Sequence, residues 1–194
     1  MSLAETAGSA EIKLTSTDIN SSAQTVDGGF ASASLITFNY PVLSITAAAA
    51  NAGGYPAYKV NDTTLVELGD LSVTKTDSTK GALVTALTLN NSGTSDLAFL
   101  SDVALYRDDV KVSTKTTVGS RTISFVLNDE IKNTQTSAVH YVVKGKITNA
   151  DRVGDTYSFY LRNTEDLTVV EKDTLFRTSI TATTPSVMGL VTIA

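Results

Sequence analysis

Apolar and polar residues alternate with period two along most of this chain. Leu71-Ser72-Val73-Thr74, Leu83 to Leu89, Ile123 to Leu127, Val139 to Ile147, Tyr157 to Leu161 and Leu167 to Val169 all carry the pattern, as does Ile12-Lys13-Leu14-Thr15 near the start. Successive side chains of a strand point to opposite faces, so each segment is predicted to be a strand with one face buried and one wet. Gly, Asn and Asp interrupt these runs at 90–96, 108–109, 119–120, 128–130 and 149–155, where turns are predicted. Helical periodicity is almost missing. The Ala-rich stretch 47–52 is too short to hold a helix alone and runs into Gly53-Gly54.

Between Leu65 and Asn163 the predicted strands recur every 8 to 15 residues or so, the rhythm of an antiparallel sandwich. We therefore expect an all-β chain with a sandwich domain over 65–172. Residues 1–64 form a β-rich segment expected to pair with the strands of 173–194 as a second, smaller β region. Arg107-Asp108-Asp109-Val110 is predicted to be a tight hairpin turn. Glu67 to Asp77 echoes Thr164 to Asp173 when Asp70 is laid on Asp166. The pattern is what any exposed strand beside an Asp turn shows, and the alternative is that each copy opens a module in a serial array.

Composition sharpens this picture. Ser and Thr make up about a quarter of the 194 residues, well above ordinary usage, which fits many strands with one solvated face. A net charge of -5 gives no basic footprint for phosphate, so nucleic acid is not expected as a partner. Cysteine is absent, which excludes disulfides and thiolate metal sites. No apolar run approaches the roughly 18 to 20 residues that would span a bilayer as a helix, and no charged leader with an apolar run opens the chain.

Candidate chemistry is sparse. The one histidine, His140, lies between Val139 and Tyr141 in a predicted strand and is expected on the wet face. No nucleophile elbow, phosphate-binding loop or zinc-binding His-Glu-x-x-His is present, and no enzymatic activity is expected. Acidic residues gather in predicted loops, where turn chemistry and solubility account for them. The alternative is calcium at a domain junction, with Asp151 and Asp155 as the first pair to supply oxygens. Tyr55 and Tyr58, beside Gly53-Gly54, are the candidates for a ligand platform. Phe125, Phe159 and Leu161 are expected to fill the core with the tyrosines of that region at its rim.

Leu87-Thr88-Leu89-Asn90-Asn91-Ser92-Gly93-Thr94-Ser95-Asp96-Leu97, followed by Val103-Ala104-Leu105-Tyr106-Arg107-Asp108-Asp109-Val110-Lys111-Val112, resembles the immunoglobulin-like domains of bacterial and archaeal surface proteins, including the CARDB-like adhesion group and S-layer modules. The shared grammar is a strand, an Asn-x-Gly turn, a strand ending in Leu-Tyr and a hairpin turn; Asp109 stands where Gly is commoner. The resemblance implies an immunoglobulin-like β-sandwich working as a non-catalytic structural or adhesive module of a larger secreted, cell-surface protein. Its partners would be other surface domains or glycans, with self-association as a further mode. Alternatives are a carbohydrate-binding module of a secreted hydrolase and a filament subunit completed by a neighbour's strand. Some surface domains of this kind carry Lys-Asn isopeptide bonds; Lys75 and Asn163 are the conceivable pair here, and no such bond is expected between them.

Overall fold

Alternation of buried and wet positions organises the strands of the computed structural model, which describes residues 2–6, 9–13, 37–39, 44–49, 54–59, 64–76, 79–148, 152–175, 177–182 and 186–194. The chain divides into two units, Met1–Val42 and Leu43–Ala194. In the first, β1 (Ser2–Thr6), β2 (Ser9–Lys13) and β3 (Thr37–Asn39) form an antiparallel sheet in that order.

Among the described residues the second unit holds eleven strands. They are β4 (Ser44–Ala49), β5 (Val66–Lys75), β6 (Ala82–Asn91), β7 (Leu100–Arg107), β8 (Val110–Val118), β9 (Thr122–Ile131), β10 (Val139–Ile147), β11 (Thr156–Leu161), β12 (Leu167–Glu171), β13 (Ser179–Ala182) and β14 (Ser186–Thr192). Their hydrogen-bonded order is β13-β4-β5-β10-β7-β8-β9-β6-β11-β14, with β12 also on β6. One strand joins the two layers: Val110 to Thr114 of β8 pair with β7, whereas Lys115 to Val118 pair with β9. The layers meet face to face. A Cβ at Gly69 on β5 would lie 3.2 Å from Met188 Cβ on β14 and 3.6 Å from Phe159 Cβ on β11.

The core between the layers is built from the alternating positions. Leu71 and Val73 of β5, Leu87 and Leu89 of β6, Ile123 and Phe125 of β9, and Phe159 and Leu161 of β11 are all buried. Each such side chain removed from water contributes about 2 kcal/mol before the entropy of ordering is counted. Tyr157 departs from the expected rim position and is fully buried. It stands two residues from Phe159 on the same face, their rings stack at 6.5 Å, and its hydroxyl donates to the Asp96 carbonyl at 3.2 Å, so burial leaves no unmet polar group.

The turns follow their residue chemistry. Asp108 and Asp109 close the β7–β8 hairpin with φ of 49° and 61°, the two positive angles of a type I′ turn, which Asp tolerates because its short side chain is polar. In the Asn-x-Gly turn, Asn91 Oδ1 accepts from the Gly93 and Ser158 N–H groups at 2.9 Å each, and its amide donates to Ser95 O at 3.0 Å. A Cβ on Gly93 would stand 2.1 Å from the Thr156 carbonyl oxygen, so the backbones approach as only glycine permits. The two echoing segments occupy one unit: the first lies along β5, and the second forms a 3-10 helix (Thr164–Asp166) and β12.

Early and late parts of this unit lie side by side. β4 pairs in parallel with β13, Ser44 opposite Ser179 and Ala47 opposite Ala182. The segment 54–58 runs parallel to the end of β14: the Tyr55 N–H donates to Leu190 O, the Tyr58 N–H to Thr192 O, and the Ala194 N–H to Tyr58 O, at 2.8 to 2.9 Å. The Ala-rich stretch enters a strand as far as Ala49, with Ile45 and Ala47 buried in the core, and its residues 50–52 lie outside the described residues.

Candidate functional site

Of the residues singled out from the sequence, Asp151 lies outside the described residues. Asp155 ends a turn after Gly154, whose φ is 93°. Its carboxylate accepts from the Thr94 hydroxyl and from the Arg152 N–H, both at 3.3 Å. Among the described residues no three acids or histidines converge as a metal site would require. Tyr55 and Tyr58 share the segment alongside β14, and both rings are half-buried against the core. His140 is exposed on β10, and its Nδ1 lies 3.1 Å from both carboxylate oxygens of Asp70 on the neighbouring β5. Lys75 Nζ reaches the Asn133 carbonyl at 3.3 Å, whereas Asn163 Oδ1 accepts from the Glu165 N–H at the head of the 3-10 helix.

Two polar groupings radiate from β7 instead. At its C-terminal end, Arg107 Nη1 donates to Asp129 Oδ2 and to the Glu130 carbonyl, both at 2.7 Å. The Tyr141 hydroxyl donates to the same Asp129 oxygen at 2.5 Å. Arg107 and Tyr141 belong to one layer and Asp129 to the other, so this cluster ties the layers together. Burial, then the Asp129 carboxylate, pushes the Tyr141 phenol well above its ordinary range. The Asp129 carboxylate thus answers both a guanidinium and a phenol, and Asp108 Oδ2 lies 3.7 Å from Arg107 Nε at the exposed edge.

At the other end of β7 the strand bulges. Ala104 pairs with Lys144 and Ser101 with Lys146, so Asp102 and Val103 together face Gly145. Asp102 takes φ 52°, the left-handed conformation of a bulge's first residue, usually glycine. A Cβ on Gly145 would stand 3.1 Å from both Leu68 Cδ1 and Val103 Cγ2, so glycine lets the bulge close onto the core.

The bend opens a depression of about 470 Å3 on the outer face, bordered by Asp102, Lys111, Lys115 and Lys146 with Leu65 and Tyr106 as apolar lining. Lys146 Nζ is 2.7 Å from Asp102. Hydrogen bonding and charge from Lys146, reinforced by Lys111 and Lys115, hold the Asp102 carboxyl below its ordinary value. Lys115 Nζ reaches the Leu100 carbonyl at 3.4 Å. Beside the rim, Lys144 bonds Asp109 at 2.8 Å and Glu67 at 3.3 Å, and its ammonium sits 5.4 Å from the centre of the Tyr106 ring.

Sequence reading missed this group. Its trace in the sequence is the pair Lys111 and Lys115 after the predicted hairpin turn and Lys144-x-Lys146 on a predicted strand. That β7 brings the two strands together with Asp102 between them is a matter of sheet order.

No protein-family model and no curated protein matches this chain. Solved structures similar to it include the seventh type I cohesin of ScaB from Pseudobacteroides cellulosolvens, at 11% identity and TM-score 0.35 over 79% of this chain and 92% of that one. The sixth cohesin of scaffoldin B from Acetivibrio cellulolyticus, solved with a mutant Cel5 dockerin, is similar at 16% identity and TM-score 0.32 over 79% and 98%.

Proposed function

We propose that this chain is a non-catalytic structural or adhesive module of a secreted, cell-surface protein, acting through strand faces, edges and loops. The observation that carries the reading is the parallel pairing of early with late strands, β4 with β13 and 54–58 with β14. Tension between residue 44 and residue 194 pulls β4 towards its N-terminal end and β14 towards its C-terminal end. Parallel neighbours held that way are loaded in shear, with their evenly spaced hydrogen bonds sharing the force instead of breaking one by one. Such a unit resists extension along the chain, as a module strung between a cell and its surroundings must. Polar groups in and at the edge of the core serve the same end, for half-buried Arg107 and Asp129 and buried Tyr141 and Asn91 are engaged in holding strands and turns.

Single-molecule pulling across residues 44 and 194 tests the proposal. One cooperative rupture is expected, at a force well above that needed when the same unit is pulled through the Asp108-Asp109 hairpin, where β7 and β8 peel apart. Early low-force release of β14, with the rest still folded, would count against a tension-transmitting role. β13 ends the strand order, which favours self-association by strand addition as a second mode of action. Sedimentation over a range of concentrations should then show assembly, and strict monomers at the highest concentration would exclude it.

A further inference from the structure

We propose that the depression beside the Asp102 bulge is a binding site for a carboxylate-rich polypeptide segment, with Lys111, Lys115 and Lys146 receiving two or more acidic side chains. The proposal is independent of the tension reading, since it rests on a different face of the unit.

Three ammonium groups meet one carboxylate here, on a chain whose net charge is -5. Asp102 ion-pairs with Lys146 alone, at 2.7 Å. Lys111 and Lys115 act on it through their charge, which leaves positive charge facing solvent across an open cavity of about 470 Å3. A ligand that brings two negative charges removes the mutual repulsion of the lysines and gains their attraction in a site whose walls are partly apolar. The lysines are compact point charges on flexible stems, which can follow acidic side chains of variable spacing along a peptide. The Tyr106 ring, the aromatic member of the lining, already carries the Lys144 ammonium, which weighs against sugar stacking and for an acidic peptide. Leu65 is 42% exposed at the edge and offers the aliphatic part of a Glu side chain a surface to lie on.

The test uses the whole chain and a hexaglutamate peptide, with trigalacturonate as the carbohydrate counterpart, followed by calorimetry and by amide chemical shifts. Hexaglutamate is expected to bind, to shift amides in residues 101–115 and 144–147, and to weaken steeply between low and physiological salt. Lys111→Ala with Lys115→Ala should weaken it at least about tenfold, and Asp102→Asn, which removes the competing carboxylate, should tighten it about threefold. Lys132→Ala, on an exposed loop between β9 and β10, serves as the control and should leave binding unchanged. The lysines are at the surface, so the thermal transition of each variant separates lost binding from lost folding. No binding of hexaglutamate, binding undiminished in the double variant, equal loss in Lys132→Ala, or trigalacturonate binding as well as the peptide would each overturn the assignment.

Discussion

Two ends of one strand use the same kinds of residue to opposite effect. At the C-terminal end of β7, Arg107, Asp129 and Tyr141 form a set in which each partner answers another, largely withdrawn from solvent where the layers meet. From the bulge along the neighbouring face to Tyr106, Lys111, Lys115 and Lys146 border a depression with Asp102, and the charges do not balance. The difference teaches that matched charge in a buried place holds a fold together, while surplus charge in an open place adds little stability and leaves something for a partner to do.

The largest effect expected from breaking this contrast is at Asp129. Asp129→Ala removes the carboxylate that the guanidinium and the phenol share at the layer junction, leaving Arg107 the Glu130 carbonyl, and should cost about 3 kcal/mol in urea unfolding. If it costs no more than changes around the depression, the two ends are energetically alike and the contrast is gone. Tyr141→Phe comes next, at about 1.5 kcal/mol for a hydrogen bond to a charged acceptor. Because the native phenol is held above its ordinary range, unfolded chains ionise first as pH rises past about 10. Stability from this group is therefore complete below that pH and lost above it. Tyr141→Phe should flatten the alkaline fall of the melting temperature, and an unchanged slope would assign that fall to other groups.

Gly145→Ala probes the bulge itself. The added methyl meets Leu68 and Val103 side chains at 3.1 Å, which can yield a little, so a loss of about 1 kcal/mol is expected with the depression reshaped. Smallest of all is the double change of Lys111 and Lys115 to Ala, expected to move stability by less than about 0.5 kcal/mol in either direction. A large loss there would mean that the lysines hold the fold, and would remove the distinction drawn above.

Much of the architecture is legible in the sequence. The period-two segments at 71–74, 83–89, 123–127, 139–147, 157–161 and 167–169 all fall within strands β5, β6, β9, β10, β11 and β12. The Asp108-Asp109 hairpin was equally plain, because its turn chemistry is local. Tyr157 was harder. Alternation placed it on the face of Phe159, but only the nearby Asp96 carbonyl makes a fully buried hydroxyl tolerable. The surface depression left a faint trace at most, since lysines two or four apart describe any wet strand.

Side-chain period and turn residues are short-range properties, so they alone establish that this chain is made of strands, where most of those strands run and much of what fills the core. Pairing across distance is decided by how the layers close. The passage of β8 from one layer to the other, the parallel contacts of β4 with β13 and of 54–58 with β14, and the meeting of Asp102 with lysines from two strands were therefore settled by the tertiary structure alone. Each joins residues whose neighbours in sequence carry no mark of the partner, and burial of a common core is the force that selects among the arrangements.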